Sequence, residues 1–227
     1  AGNGSASLWD IGDGVVCLEF HTKMNSIDPG IMSMVEKALQ VIPAENHKAL
    51  IIHSEAANFS VGANIGLALF AANIAGWPEI TKSVKAGQDA YKALKYAPFP
   101  VIGAPSGMAL AGGLEILLHC DAVQAHAETY MGLVEVGVGL VPAWGGCKEM
   151  LARWHHNPKG PQGPMPAVTR VFETIGTATV ARSADEARDF LFLRDGDGIT
   201  MNRDRLLADA KAIALQLADD YVPPEPT

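Results

Sequence analysis

The chain has 227 residues, 48% of them hydrophobic and 19% charged, which suits one large or two small globular domains and excludes a disordered chain. Its formal charge of −8 argues against nucleic acid as a partner, although local lysines and helix N-termini could still hold a smaller anion. Cys17, Cys120 and Cys147 lie far apart with no CxxC pair. They read as reduced, core-filling thiols of a cytoplasmic protein and suggest neither disulfides nor a metal site.

No apolar run reaches the ~18 residues that span a bilayer, and Ala1–Ser5 shows no leader pattern, so no membrane partner is expected. The missing initiator Met reads as processing or as a piece of a longer protein.

In chain order, Val15–Phe20 reads as a strand after Asp13-Gly14. Asp28-Pro29-Gly30 opens a helix with Ile31, Met34, Val35 and Ala38 on one face. Ala49–His53 is nearly all apolar, as in a strand covered on both faces. Ser60–Asn64 is a small-residue loop, and Ile65–Phe70 begins a helical pattern. A long amphipathic helix covers Ile80–Tyr96 and stops at Pro98 and Pro100. Val101–Ala104 reads as a strand, Leu114–His119 as a helix after a glycine turn, and Ala122–Ala125 and Thr129–Met131 as short strands.

Beyond the Gly- and Pro-rich loop Gly137–Gly146, a helix is expected near Lys148–Trp154. Residues 155–166 carry four Pro and two Gly and read as exposed connection. Only helical patterns follow, at Ala167–Ile175, Ala184–Leu191 and Arg203–Tyr221. The pattern predicts an α/β core over residues 1–154, the connection at 155–166, and an all-helical C-terminal part over 167–227.

The densest chemical signal runs from Pro100 to Gly146. A strand enters the turn Ala111-Gly112-Gly113 and a helix starts there, so main-chain N–H groups are left without intrahelical partners. Such donors can stabilise a developing oxyanion. Glu115 lies one turn into that helix, and Glu135 sits among small and apolar residues that would raise its pKa. On local grounds alone, Glu115 reads better as an ordinary first-turn glutamate and Glu135 as a solvated strand or loop residue.

This tract, together with Asn58-Phe59-Ser60-Val61-Gly62-Ala63-Asn64-Ile65, closely resembles the signature regions of the enoyl-CoA hydratase/isomerase (crotonase) superfamily. The resemblance covers roughly residues 8–154. It implies a crotonase-like ββα-spiral core and an acyl-CoA thioester substrate, with coenzyme A as part of the substrate and no metal or redox cofactor. It further implies an oxyanion hole from the amides of Ala63 and Gly112, and Glu115 and Glu135 as the catalytic carboxylates. Lys23, Gly62, Asn64 and Trp144 fall at positions that would border the substrate.

Reversible hydration of a 2-enoyl-CoA in fatty-acid β-oxidation is the reaction implied. A Δ3-Δ2 isomerase and a non-catalytic acyl-CoA-binding or interaction domain are the alternatives, and carrying both glutamates favours the hydratase. Three residues depart from the family pattern: Asn64 for the usual Asp, Ala111 for the first glycine of the turn, and the bulky Trp144. Ala111 is a mild change if its φ is negative. Trp144 suits either a narrowed acyl pocket or core packing.

The C-terminal segments resemble the tail of bacterial bifunctional fatty-acid oxidation proteins, which implies a 3-hydroxyacyl-CoA dehydrogenase domain elsewhere in the parent protein. NAD would belong to that domain, because no GxGxxG follows a strand here. Family habit also implies a homo-oligomer. His53 and His119 read as core or strand-end residues, His155-His156 as a surface pair, and Lys82, Lys85, Lys92 and Lys95 as a solvated helix face.

Overall fold

The structure, a computed structural model, describes residues 1–161 and 163–225. A hairpin opens the chain: β1 (Ala6–Asp10) runs antiparallel to β2 (Val15–Phe20). Between them Asp13 and Gly14 both take positive φ, the local geometry a tight reversal requires. Asp28 then caps α1 (Pro29–Ala44) by accepting the amide of Ile31 at 2.8 Å.

From β2 onward the large sheet is parallel. β3 (Ala49–His53), β4 (Val101–Ala104), β6 (Ala122–His126) and β9 (Gly198–Thr200) continue it in the order β1-β2-β3-β4-β6-β9. A second, three-stranded sheet holds β5 (Met108–Leu110), β7 (Tyr130–Gly132) and β8 (Val180–Ala181) in the order β5-β7-β8. The remaining helices are α2 (Ile65–Asn73), α3 (Trp77–Lys95), α4 (Gly112–Leu118), α5 (Gly146–His155), α6 (Pro164–Gly176), α7 (Ala184–Asp189) and α8 (Leu206–Ala218).

The two-residue period of the strands decides which side chain meets which helix. Val16, Leu18, Phe20, Leu50 and Ile52 join Ile31, Val35 and Ala38 of α1 in the main core. Their neighbours Val15, Ala49 and Ile51 point to the other face, where Leu206, Ala210 and Ala214 of α8 cover them. With helices on both faces, β3 has no solvated side, which is why its sequence is nearly all apolar.

The C-terminal part is helical apart from two short strands that the sequence pattern does not reveal. β8 and β9 hold two and three residues, too few to show alternation, and their pairing comes from exposed edges of β7 and β6. β1 and β5 are likewise additions to the elements read from sequence. α3 begins at Trp77, three residues before Ile80, with Pro78 in its first turn. Arg203–Arg205 form a 3₁₀ turn ahead of α8.

The tail is tied to the core sheet through buried and half-buried polar groups. Asp197 accepts the Val123 amide at 2.9 Å and the Arg194 amide at 2.7 Å. Arg194 donates to the carbonyls of Cys120 and Asp121, and Tyr221 donates to the Asp121 carboxylate. Asp197 is almost fully buried, so removing its carboxylate strands the β6 amide that it satisfies. Asp197→Ala is expected to lower stability by about 2–4 kcal/mol in chemical denaturation. A loss under about half a kcal/mol would show that water replaces it.

Candidate active site

The loop after β3 is pinned onto β5 and then turned back by a glycine. The Ser60 amide donates to Met108 O and the Leu110 amide to Ser60 O, while Ser60 Oγ accepts the Gly62 amide at 3.1 Å. Gly62 is buried at φ +91°, and a Cβ there would sit 2.7 Å from Ala111 Cβ and 2.9 Å from Gly112 N. No side chain fits, so the loop lies directly on the turn that opens α4.

That contact sets Ala63 beside Gly112: a Cβ on Gly112 would lie 3.5 Å from Ala63 N. Ala63 bridges Ile27 in parallel register, and the bonds of that bridge use Gly62 O and the Asn64 amide. The Ala63 amide therefore faces away from Ile27. Gly112 is the first residue of α4, where no intrahelical acceptor exists. Among the described residues neither amide donates a hydrogen bond.

Ala111 shapes the same turn at φ +51°, ψ −127°. The expectation of a mild change at negative φ is thus overturned. The bond from Ala111 N to Gly132 O at 2.8 Å and the contact with Gly62 hold an alanine in a region that favours glycine. The strain is of order 1–3 kcal/mol.

Both glutamates are buried. Glu115 is 2% exposed, and its Oε1 accepts the main-chain amides of Trp144 and Gly146, each at 2.9 Å. Burial first, and then the charge of nearby Glu135, push its pKa up to about 8, against the lowering effect of those two amides. Glu135 opens a 3₁₀ turn over Glu135–Val138, and neither of its carboxylate oxygens has a hydrogen-bond partner among the described residues. Burial raises its pKa to about 7. A buried acid without partners and a neighbour held by amides form a pair that resists carrying two charges.

Trp144 joins the cluster. Its indole lies against Gly112, and its ring meets Tyr91 edge-on at 5.5 Å. Tyr91 in turn donates from its hydroxyl to Gly112 O at 2.9 Å. Lys23 is exposed in the 3₁₀ turn Lys23–Asn25, on the segment that runs along the Val61–Asn64 loop. The exposed Asn64 side chain accepts the Gly66 amide and caps α2.

Sequence reasoning overlooked Tyr91, Gly87 and His119 as parts of this site. Gly87 lies in the middle of α3, where a glycine signals close approach, and that signal was available. The imidazole of His119 is buried against Gly145 and has no local pattern to betray it. Cys147 is exposed on the first turn of α5, which corrects its reading as a core thiol; Cys17 and Cys120 are buried. His155 and His156 are an exposed edge-on pair.

Residues 10–155 match the family model described as enoyl-CoA hydratase/isomerase. The chain belongs to this family. As an enoyl-CoA hydratase/isomerase family member it is 42% identical over 219 residues to a Bacillus subtilis (strain 168) protein named "Probable 3-hydroxyacyl-CoA dehydrogenase", covering 96% of this chain and 27% of that protein. It is 35% identical over 132 residues to the fatty acid oxidation complex subunit alpha of Vibrio parahaemolyticus, covering 56% of this chain and 18% of that one. The chain thus spans about a quarter or less of these relatives' lengths.

Solved structures share its fold. An enoyl-CoA hydratase from Bacillus anthracis superposes with a TM-score of 0.77 at 22% identity, over 95% of this chain and 77% of that one. One from Polaromonas sp. JS666 gives 0.75 at 24% identity over the same shares. The crotonase-like α/β architecture of the family is therefore the architecture of this chain.

The unpartnered Glu135 makes a stability prediction. Its folded pKa of about 7 lies above the ordinary 4.5, so the stability its protonated form supplies is complete below 4.5 and is lost as pH rises through 7. Glu135→Gln removes the ionising group. The variant is expected to gain on the order of 2 kcal/mol over the parent protein near pH 9, and little near pH 4, in paired denaturation curves. Equal gains at both pH values would refute a buried charge at Glu135.

Proposed function

We propose that the chain adds water reversibly across the double bond of a 2-enoyl-CoA to give the 3-hydroxyacyl-CoA. The observation that carries this reading is the pair of buried carboxylates with pKa values raised to about 8 and about 7, together with two neighbouring main-chain amides, of Ala63 and Gly112, that no acceptor among the described residues uses. Family membership supplies the acyl-CoA substrate class.

In the proposed reaction the thioester oxygen sits between the amides of Ala63 and Gly112. Attack on C3 pushes electrons through C2 to that oxygen, and each donor aimed at it lowers the barrier by about 3 kcal/mol. One carboxylate removes a proton from water as its oxygen bonds to C3, and the other delivers a proton to C2. Atoms balance with no change of oxidation state, so the step calls for no redox cofactor. The two amides on Glu115 Oε1 hold that carboxyl in place, which is what a proton carrier working on one bond requires.

The names of the two relatives described above place them in 3-hydroxyacyl-CoA dehydrogenation and fatty acid oxidation. The same setting is proposed for this chain, with a dehydrogenase region of the complete protein consuming the 3-hydroxyacyl product. That would place NAD chemistry outside these residues.

The decisive experiment follows crotonyl-CoA and a 3-enoyl-CoA with the protein and its variants. Hydration of crotonyl-CoA is expected, and Glu115→Gln is expected to reduce its kcat by roughly 10²–10⁴-fold. Isomerisation without hydration would replace the proposal by the isomerase reading.

The profile of kcat/KM against pH is expected to be bell-shaped. Below about 7 both acids hold protons and no base remains; above about 8 both are ionised and no acid remains. A profile flat across that window would dismiss the shared-proton pair.

A further inference from the structure

The indole of Trp144 fills the space between helix α3 and the α4 turn. A Cβ on Gly87 would lie 2.2 Å from Trp144 Nε1 and 2.4 Å from Cδ1 and Cε2. At the other end of the ring system, a Cβ on Gly112 would lie 2.9 Å from Cζ3 and 3.0 Å from Cε3. The five-membered ring thus rests on a glycine of α3 and the six-membered ring on the glycine whose amide is proposed to hold the thioester. Both contacts exist only because neither position carries a side chain.

The ring is also fixed in orientation. Tyr91 meets it edge-on at an interplanar angle of 79°, and the Tyr91 hydroxyl is itself held by Gly112 O. The peptide group that leads into Trp144 is held on both sides: its N–H donates to Glu115 Oε1, and its carbonyl, Ala143 O, accepts from Gln88 Nε2 at 2.8 Å. The half-buried side chain is thus packed between two backbones and an aromatic edge, which favours the one rotamer seen.

We propose that Trp144 closes the acyl end of the site against α3 and makes the substrate a short-chain 2-enoyl thioester. This rests on the proposed function. There the carbonyl carbon lies at Ala63 and Gly112 and the double bond lies by Glu115 and Glu135. The segment that carries Glu115's two amide donors also places the indole against Gly112, so in this proposal carbons beyond the double bond run toward the ring. Gly87 completes the device, because any side chain there would displace the ring. A longer or branched tail meets a rigid wall, and close-packed interiors do not yield to an extra methylene without cost.

The test compares kcat/KM for crotonyl-CoA and 2-decenoyl-CoA in the protein, in Trp144→Ala, and in Trp144→Ala with Gly87→Leu. Crotonyl-CoA is expected to be strongly preferred. Trp144→Ala is expected to raise the decenoyl-to-crotonyl ratio by at least about tenfold. Adding Gly87→Leu fills the vacated space from α3 and is expected to lower that ratio again. Equal turnover of the two thioesters by the parent protein, or a ratio unmoved in Trp144→Ala, overturns the proposal.

Calorimetric binding of butyryl-CoA and decanoyl-CoA provides a readout that needs neither turnover nor a folded variant. The parent protein is expected to bind butyryl-CoA at least as tightly as decanoyl-CoA, despite the extra apolar surface of the longer chain. Tighter decanoyl-CoA binding overturns the proposal. If neither enoyl thioester is hydrated, the hydratase reading fails, and this binding comparison still decides whether the site prefers a short acyl chain.

Discussion

Everything at the candidate site depends on one close approach, that of Gly62 to the Ala111–Gly112 turn. Two backbones meet there at a distance no side chain tolerates. The loop is brought to the contact by Ser60, which pairs with β5 through its main chain and holds Gly62 through its hydroxyl. The turn is brought by Ala111, held at positive φ by its bond to Gly132 on β7. Local strain at Ala111 is sustained because both sheets fix its surroundings, as is usual where geometry serves a site.

The carboxylates add a second constraint of opposite character. Glu115 is compensated, with two amides on one oxygen, whereas Glu135 is buried with none. A fold selected for stability alone would not bury an unpartnered acid, since the desolvation is unrepaid. The same segment that compensates Glu115 also carries Trp144 into contact with Gly87, Tyr91 and Gly112. In the proposed function, proton chemistry and the shape of the acyl end are thereby coupled through three consecutive residues, Trp144, Gly145 and Gly146.

Gly145 shows how far that coupling reaches. It adopts φ +118°, and a Cβ there would lie 2.6 Å from Cε1 of the buried His119. His119 caps the end of α4 one turn beyond Glu115, with its Nδ1 2.7 Å from the Glu115 carbonyl oxygen. Its other ring nitrogen faces Glu149, which Lys95 of α3 pairs at 2.7 Å. The loop is therefore braced from behind by groups on α3, α4 and α5.

The sequence by itself determined the elements whose causes are local. Asp28 before Pro29 makes a helix cap, and the apolar Ala49–His53 makes a strand covered twice. The ordered glycine and glutamate blocks from Asn58 to Gly146 were enough to identify the family, because type, order and spacing agree along the chain. Tertiary structure alone decided what depends on partners distant in sequence. β8 and β9 are strands only because β7 and β6 offer edges, the φ of Ala111 follows from Gly132 and Gly62, and Cys147 faces solvent because of how α5 lies. Whether Trp144 packed in the core or bordered the site was likewise invisible until α3 placed Gly87 against it. Hydrogen bonds and apolar periodicity act over a few residues and leave a mark in sequence; close packing acts between segments and leaves none until the chain has folded.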